Sequence, residues 1–129
     1  MLVHASCVLW KNKGILLLGN SGSGKSTAAL RLIEKDAILI ADDCIELSDD
    51  LNAVCPDNIF GKIEVRGVGI CSMPAQKQTQ IHLAIQCSSD FNEPERIPEK
   101  KDFNGVPLFT LCPFDCLFCT KVELLLKEI

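Results

Sequence analysis

The stretch of this sequence best suited to chemistry is a glycine-rich loop between an apolar segment and an alanine-rich one. Residues 19–26 read Gly-Asn-Ser-Gly-Ser-Gly-Lys-Ser, a full match to the pattern G-x-x-x-x-G-K-[ST]. Glycines in such a loop let successive backbone N–H groups point into one concavity, which binds phosphate oxygens. Lys25 is predicted to reach the β and γ phosphates of a nucleotide, and the Ser26 hydroxyl to bind Mg²⁺. The alternative is a glycine-rich turn without a ligand.

A pair of adjacent aspartates, Asp42 and Asp43, follows the apolar run at residues 37–41. A buried strand that ends in aspartate is typical of the acid that helps to hold magnesium in nucleotide-binding domains. The alternative is an acidic turn before a strand at residues 44–47. The side chains of neighbouring carboxylates diverge, so one can accept a proton while the other orients a neighbour or the metal.

The elements around these residues are predicted from apolar periodicity. Strands are expected at residues 2–10, 15–18, 37–41, 62–70, 81–87 and 106–111, and helices at 25–34 and 120–129. A turn of hairpin length at residues 11–14 joins the first two strands, with Gly14 suited to positive φ. Gly67 and Gly69 suggest a close approach of the backbone to another group, and residues 90–102 suggest a surface loop. The strands before Gly19 and Asp42 are expected to run parallel, so both residues face one crevice.

Composition limits the class of protein. The chain has 129 residues, which favours one domain, and its net charge of −4 without a basic cluster argues against nucleic-acid binding. No apolar run is long enough to cross a bilayer, and the N-terminal segment lacks the basic start of a signal peptide. Eight cysteines in a nucleotide-binding chain without an export signal indicate free thiols in a reducing cytoplasm.

Three of the cysteines, Cys112, Cys116 and Cys119, have the C-x3-C-x2-C spacing that can hold an iron–sulfur cluster. Only ten residues follow them, and no fourth ligand or histidine lies close in sequence. We therefore interpret these thiols as small buried hydrophobic groups at the base of the last helix.

Four features taken together resemble the catalytic domain of HPr kinase/phosphorylase, the bifunctional serine kinase of the bacterial phosphotransferase system. They are His4, the loop at residues 19–26, the pair Asp42 and Asp43, and residues 64–70, which read Glu-Val-Arg-Gly-Val-Gly-Ile. Residues 105–108 and 112–114 look like the short form of that family, which lacks the N-terminal domain of longer members.

The resemblance implies one P-loop kinase domain over residues 1–129, an α/β fold similar to phosphoenolpyruvate carboxykinase, with a mixed sheet and few helices. It implies a Mg²⁺-dependent, cytoplasmic enzyme that uses ATP to phosphorylate a serine of the phosphocarrier protein HPr. It also implies the reverse reaction with inorganic phosphate, which releases pyrophosphate, and a homo-oligomer, hexameric in the family.

Carried over to this sequence, the resemblance implies that Asp42 is the general base, supported by His4 and Asp43. Ser26 and Glu64 are expected to hold Mg²⁺, and Arg66 to order phosphate or the strand of Glu64. The residues expected to bind the nucleotide phosphates are Gly19, Asn20, Ser21, Gly22, Ser23, Gly24, Lys25, Ser26 and Thr27.

The sequence also departs from the family's pattern. Asn20 stands where Asp is usual, Thr27 where Glu is frequent and Ala5 where Gly is common, and only Lys77 stands in the region where longer members place several basic residues. Two other functions stay open: a P-loop kinase or ATPase with another acceptor, and a non-catalytic nucleotide-binding regulator.

Overall fold

The computed structural model of the chain describes residues 1–90 and 101–129. These residues form two α helices, Lys25–Ile33 (α1) and Phe118–Lys127 (α2), and one short 3-10 helix at Asp57–Ile59. The strands, in chain order from β1 to β11, are Leu2–Val3, Ser6–Trp10, Lys13–Leu18, Ile38–Ala41, Ile45–Leu47, Asn52–Val54, Lys62–Val65, Gly69–Ser72, Gln78–Cys87, Lys101–Phe103 and Val106–Leu111. The predicted mixed sheet with few helices is therefore confirmed.

The strand order of the main sheet places the glycine loop near its middle. Strand β3, which leads into the loop, pairs with β2 in antiparallel and with β9 in parallel orientation. Strand β2 also pairs with β4, so β4 runs parallel to β3 with β2 between them. On the other side, β11 lies parallel to β9. The resulting order β4-β2-β3-β9-β11 brings the ends of β3, β4, β9 and β11 to one edge of the sheet.

The sheet is covered on both faces by apolar side chains. One face packs against both helices, with Ile15, Leu17 and Leu83 of the sheet in one buried cluster with Leu32 of α1 and Phe118 of α2. The other face buries a second cluster, which includes Cys7, Leu16, Ile40, Ile45, Leu47, Ala53 and Ala84. Burial on both faces explains why β3 and β4 read as nearly continuous apolar runs in the sequence.

The hairpin between β2 and β3 differs from the prediction in the role of its glycine. Lys11 and Asn12 take the positive φ angles of the turn, 52° and 65°, as a two-residue turn of the primed type requires. Gly14 instead lies within β3, where its N–H donates to His82 Nδ1 at 3.2 Å. A Cβ at Gly14 would meet the Gln80 carbonyl oxygen at 2.1 Å, so glycine is required there by close packing.

Two predicted strands are divided in the structure. The first breaks at His4 into β1, which pairs with β5, and β2, which pairs with β3. Residues 62–70 do not form one strand: they contribute β7 and the first part of β8, joined by a turn in which Val68 N–H donates to Val65 O. Gly67 and Gly69 have φ of 86° and 115°, and nothing lies within 4 Å of a Cβ built on either. Both glycines serve the turn, and no described residue comes close to the backbone there, so the predicted close approach to another group stays a prediction.

The remaining elements follow the sequence closely. Strand β11 coincides with the predicted residues 106–111, and α2 begins two residues before the predicted start. Of the loop predicted at 90–102, residues 91–100 lie outside the described residues, and Lys101–Phe103 is a strand paired with β11. Neither described helix has the length and apolar character needed to span a membrane.

One arginine fastens the segment before α2 to the helix that follows the glycine loop. Arg31 Nη1 donates to the carbonyl oxygens of Pro113 at 2.7 Å and Asp115 at 2.6 Å, and Nη2 donates to that of Cys116 at 3.4 Å. Pro113 and Phe114 in turn lie 3.0–3.2 Å from the position of a Cβ on Gly24. The segment therefore packs directly against the start of α1.

We expect Arg31→Ala to lower the free energy of unfolding by about 2 kcal/mol, because charge-assisted hydrogen bonds to several carbonyls are lost together. Urea denaturation measures this. Arg66→Ala is the matched control, since Arg66 is exposed and has no hydrogen-bond or ion-pair partner within residues 1–90 and 101–129. An equal loss in both variants would contradict the role given to Arg31.

Candidate functional site

The glycine loop joins β3 to α1 through three glycines in left-handed or extended positive-φ conformations. Gly19, Gly22 and Gly24 have φ of 145°, 83° and 101°, and Ser23 N–H donates to Asn20 O at 3.0 Å. A Cβ on Gly19 would lie 2.3 Å from Ser23 Oγ, so the loop closes tightly on itself. The predicted order of strand, loop and helix is confirmed, and it presents the N-terminus of α1 to the loop's concavity. Unpaired N–H groups at a helix start bind anions.

Lys25, the first residue of α1, is buried, with 6% of its surface exposed. Its ammonium donates to the loop's own carbonyls, at 2.7 Å to Gly19 O and 3.4 Å to Asn20 O. The cation is thus held above the loop. Thr27, which follows Ser26, lies in the same first turn of the helix.

Asp42 is the polar centre of the site, 9% exposed at the end of β4. Its Oδ1 accepts hydrogen bonds from Ser26 Oγ at 2.8 Å and Ser6 Oγ at 3.0 Å. Its Oδ2 accepts the backbone N–H of Glu64 at 3.0 Å. The parallel course of β3 and β4 therefore brings Asp42 to the start of α1, as predicted. Both carboxylate oxygens already have donors.

Asp43 differs from Asp42 in backbone conformation, in exposure and in the partner of its side chain. It has a φ of 71°, a left-handed conformation that aspartate and asparagine tolerate better than most residues. Its side chain is 62% exposed, and Oδ1 lies 3.2 Å from Nε2 of His4, which is 59% exposed. The two adjacent acids therefore point to different partners, one buried and the other open to solvent.

The remaining predicted residues lie on the β7–β8 hairpin. The Glu64 side chain is exposed, and its backbone contact with Asp42 brings this strand beside the start of α1. Arg66 lies in the hairpin turn and makes no ion pair within the described residues, so its predicted contact with phosphate stays a prediction. Lys77 forms an ion pair with Asp57, and this hydrogen bond lowers the pKa of the Asp57 carboxyl.

The side chains at the start of α1 fit a magnesium ion. The Ser26 hydroxyl lies 2.8 Å from the Asp42 carboxylate. Glu64, in β7, is next to Asp42 through its backbone N–H. Hard oxygen donors suit Mg²⁺, which takes one or two carboxylates from the protein and completes its shell with water and substrate phosphates. Over residues 1–90 and 101–129 no three His, Cys, Asp or Glu side chains converge as a metal cluster.

Ser6 is a site residue that sequence analysis missed. It is fully buried in β2, donates to Asp42 Oδ1 and accepts the backbone N–H of Asp43 at 3.1 Å. One hydroxyl thus holds both acids in place. The signal in the sequence that could have indicated Ser6 was a single serine at the start of an apolar strand. The pairing of β2 with β4, with a register shift between Cys7 and Val8, is what brings it to the acids.

The three C-terminal cysteines do not share one environment. Cys119 is buried in α2 and donates to Arg31 O at 3.6 Å, Cys112 is half-buried, and Cys116 is exposed. The interpretation of all three as buried groups is therefore wrong for Cys116. Near the glycine loop, burial raises the pKa of the Cys87 thiol to about 12, and the pKa of buried Cys7 is raised even further.

We expect a thiol reagent added to the folded protein at pH 8 to modify Cys116 first and to leave Cys7 and Cys87 intact, since the thiolate is the reactive form. Peptide mass spectrometry after short labelling reads this out. In denaturant all eight cysteines should be labelled. Labelling of Cys87 at the rate of Cys116 would contradict the buried position of Cys87.

The fold and the site define an α/β domain in which two adjacent acids lie beside a glycine loop and the helix start that follows it. A profile of the family described as "HPr Serine kinase C-terminal domain" matches residues 1–104. The chain belongs to this family, as its resemblance predicted.

Individual relatives agree with the family. The chain is 44% identical over 72 residues to an HPr kinase/phosphorylase of Thermoanaerobacter sp. (strain X514), covering 53% of this chain and 24% of that protein. It is 34% identical over 94 residues to an HPr kinase/phosphorylase of Malacoplasma penetrans (strain HF-2), covering 65% and 31%. The matched part of the chain thus spans 24% to 31% of the length of these relatives.

A solved structure covers nearly the whole chain. The HPr(Ser) kinase/phosphatase from Coxiella burnetii superposes with a TM-score of 0.81 and 25% sequence identity, over 99% of this chain and 95% of that one. The fold described above is therefore that of an HPr kinase structure, with a mixed sheet and few helices.

Proposed function

We propose that this domain is the catalytic domain of a protein-serine kinase that transfers the γ-phosphoryl group of ATP to HPr. The observation that carries the proposal is the pairing of an inward acid with an outward one. Asp42 is bound to the Ser26 hydroxyl at the loop, whereas exposed Asp43 lies against His4. The names of the relatives support HPr as the acceptor.

The donor half of the reaction uses the loop and the start of α1. N–H groups of residues 19–26 and the Lys25 ammonium would bind the β and γ phosphates, which requires Lys25 to leave the carbonyl of Gly19. Ser26, Asp42 and Glu64 would hold Mg²⁺. When bound there, the metal neutralises charge on the phosphate oxygens of the donor.

The acceptor half is assigned to Asp43. Sequence analysis expected Asp42 to be the general base, but both Asp42 oxygens accept hydrogen bonds within the protein. The Asp43 side chain is 62% exposed and therefore open to an incoming serine hydroxyl, and among residues 1–90 and 101–129 its carboxylate forms an ion pair with His4 alone. In the transfer, the serine oxygen bonds to the γ-phosphorus as the bond from phosphorus to the β–γ bridging oxygen breaks. The serine proton passes to Asp43, with His4 as its positioning neighbour.

The same groups would serve the reverse reaction in the presence of inorganic phosphate. A phosphate oxygen attacks the phosphorus of phosphoserine, the bond to the serine oxygen breaks, and protonated Asp43 returns the proton to that oxygen. The products are HPr with an unphosphorylated serine side chain and pyrophosphate. Microscopic reversibility gives Asp43 the role of acid in this direction.

The wider setting follows from the family resemblance. We propose that residues 1–129 form one P-loop catalytic domain related to phosphoenolpyruvate carboxykinase, in a cytoplasmic homo-oligomer. The net charge of −4 supports a protein rather than a nucleic acid as its partner.

The test is incubation with HPr, Mg²⁺ and ATP, followed by mass spectrometry of HPr. A gain of one phosphoryl group on a serine is expected, and pyrophosphate should appear when phosphorylated HPr is mixed with inorganic phosphate. Release of phosphate to water without modified HPr would favour an ATPase or another acceptor. Nucleotide binding with no turnover would favour a regulator.

A further inference from the structure

One buried serine contacts both acids of the site, and the reaction described above gives it no role. Ser6 is fully buried at the start of β2. Its hydroxyl donates to Asp42 Oδ1 at 3.0 Å and accepts the backbone N–H of Asp43 at 3.1 Å. A backbone N–H can only donate, so a lone pair of the hydroxyl faces Asp43 and its proton faces Asp42. The direction of both bonds is therefore fixed.

A β-bulge aims this serine at the acids. The pairing of β2 with β4 shifts by one residue between Cys7 and Val8. After the shift, Cys7 lies opposite Ala41, so the preceding residue, Ser6, lies opposite Asp42 as its cross-strand neighbour. Without the shift, Ser6 would lie opposite Ala41 instead. Bulges beside active sites re-aim side chains in this way.

The segment that carries Ser6 holds Asp43 at two points. Ser6 accepts the backbone N–H of Asp43, and His4, two residues before Ser6, lies 3.2 Å from the carboxylate Oδ1. The backbone of Asp43 has a φ of 71°, a conformation that persists in proteins when the surroundings support it. The bond to Ser6 thus helps to set the direction in which the exposed carboxylate of Asp43 points.

Asp42 depends on Ser6 less than Asp43 does. Its carboxylate also accepts the Ser26 hydroxyl and the backbone N–H of Glu64, and both bonds would stay in place without Ser6. The Asp43 N–H would lose the acceptor that the described residues give it. Removal of the Ser6 hydroxyl is therefore expected to disturb the outward acid more than the inward one.

We propose that Ser6 is a positioning residue for phosphoryl transfer. It holds the backbone of Asp43 so that the carboxylate stays where the acceptor serine arrives, and it ties that place to Asp42 beside the glycine loop. The inference rests on the proposed function, because it assigns Ser6 to the acceptor half of that reaction.

Ser6→Ala tests the proposal, since it removes the hydroxyl with little change in volume. In steady-state kinetics with HPr, ATP and Mg²⁺, kcat should fall about tenfold, as expected for one lost positioning hydrogen bond. The KM for HPr and the affinity for ADP should stay within about threefold of the parent's. An unchanged kcat, or an equal loss in kcat and in ADP affinity, would overturn the proposal.

Cys7→Ala is the matched control for general loss of packing. Cys7 is also fully buried in β2, and its thiol contacts the Val8 carbonyl oxygen rather than an acid. At a temperature where both variants are folded, Cys7→Ala should keep the parent's kcat. The same loss of kcat in Cys7→Ala and Ser6→Ala would overturn the positioning role.

A double-mutant cycle shows whether Ser6 acts through Asp43. In the Asp43→Asn background, Ser6→Ala should lower the rate by less than about twofold, because the group that Ser6 positions is already lost. The same tenfold loss in both backgrounds would give Ser6 an independent, structural effect and overturn the proposal.

Hydrogen exchange without any ligand tests the contact itself. Ser6→Ala should speed exchange of the Asp43 amide at least about tenfold and leave the amides of α1 as they are in the parent. Unchanged exchange at Asp43 would overturn the proposal. Failure of the parent to phosphorylate HPr would overturn the proposed function and the role of Ser6 with it. An active parent with an equally active Ser6→Ala variant would overturn the role of Ser6 alone.

Discussion

Asp43→Asn is expected to reduce the rate of phosphoryl transfer to HPr by roughly 10²- to 10⁴-fold, the range that a lost general base produces. Asparagine has nearly the same shape but cannot take the serine proton. The affinity of the variant for ADP and Mg²⁺ should stay within about threefold of the parent's. The reason is that Ser26 and the backbone of Glu64 donate their hydrogen bonds to Asp42, which is unchanged. Steady-state kinetics with HPr and calorimetry with ADP separate the two effects.

The fold of the variant should be preserved, which makes the kinetic result readable. Asp43 has a φ of 71°, and asparagine is among the residues that tolerate the left-handed region best. Asp36 offers a matched control: it is an exposed aspartate with a φ of 77° at the end of α1. Asp36→Asn should leave both transfer and binding unchanged. Transfer by Asp43→Asn at the parent's rate would remove Asp43 from the mechanism.

Asp42→Asn is expected to impair nucleotide binding as well as phosphoryl transfer, unlike Asp43→Asn. Asparagine can keep a carbonyl oxygen toward the Glu64 N–H and turn its NH₂ group to the hydroxyl oxygens of Ser6 and Ser26, but it removes the negative charge at this position. A neutral amide is a weaker partner for Mg²⁺ than a carboxylate. This change should therefore weaken Mg²⁺-dependent nucleotide binding as well as transfer. The two aspartates can be told apart by the ratio of binding loss to rate loss.

The sequence alone predicted the order of strand, glycine loop and helix and the approach of Asp42 to it, for a physical reason. The loop at residues 19–26, the helix after it and the apolar run before Asp42 are local patterns, and a crossover between parallel strands must return their ends to one edge. From these local patterns alone, the proximity of Asp42 to Ser26 can be predicted without knowledge of the rest of the chain.

What sequence analysis could not give were the contacts between distant strands. Ser6 reaches the acids through the pairing of β2 with β4, and the outward turn of Asp43 depends on its positive φ. The pattern Asp-Asp gives no hint of which carboxylate is buried. The division of residues 62–70 into a hairpin was missed because alternation continues on both sides of a short turn.

The glycines show the same limit most clearly, since one residue type serves two purposes. Gly14 was assigned to the hairpin turn from its place in the sequence, yet Lys11 and Asn12 make that turn. Gly14 is needed because Gln80 of β9 passes close by, and the distance from a Cβ to the Gln80 carbonyl oxygen would be 2.1 Å. Only the pairing of β3 with β9, more than sixty residues apart in sequence, reveals this.

Gly14→Ala should accordingly destabilise the protein by about 3 kcal/mol, at the upper end of the usual cost of overpacking. The obstruction is backbone, which cannot move aside as the end of a side chain can. The added methyl would also lie 2.9 Å from Thr79 Cγ2. Urea denaturation of the parent and the variant measures the loss. Because β3 leads directly into the glycine loop, weaker ADP binding should accompany it at temperatures near the transition.

Gly105→Ala is the informative comparison, because at Gly105 the added methyl causes backbone strain without crowding, whereas at Gly14 it causes crowding without a positive φ. Gly105 has a φ of 103°, but none of the residues that the structure describes lies within 4 Å of a Cβ built there. Alanine at that position should cost only about 1–2 kcal/mol of backbone strain. If the loss at Gly14 were no larger than the loss at Gly105, the close passage of β9 beside Gly14 would be wrong. The register that aligns β3 and β9 at the edge of the sheet that carries the glycine loop would then need to be revised.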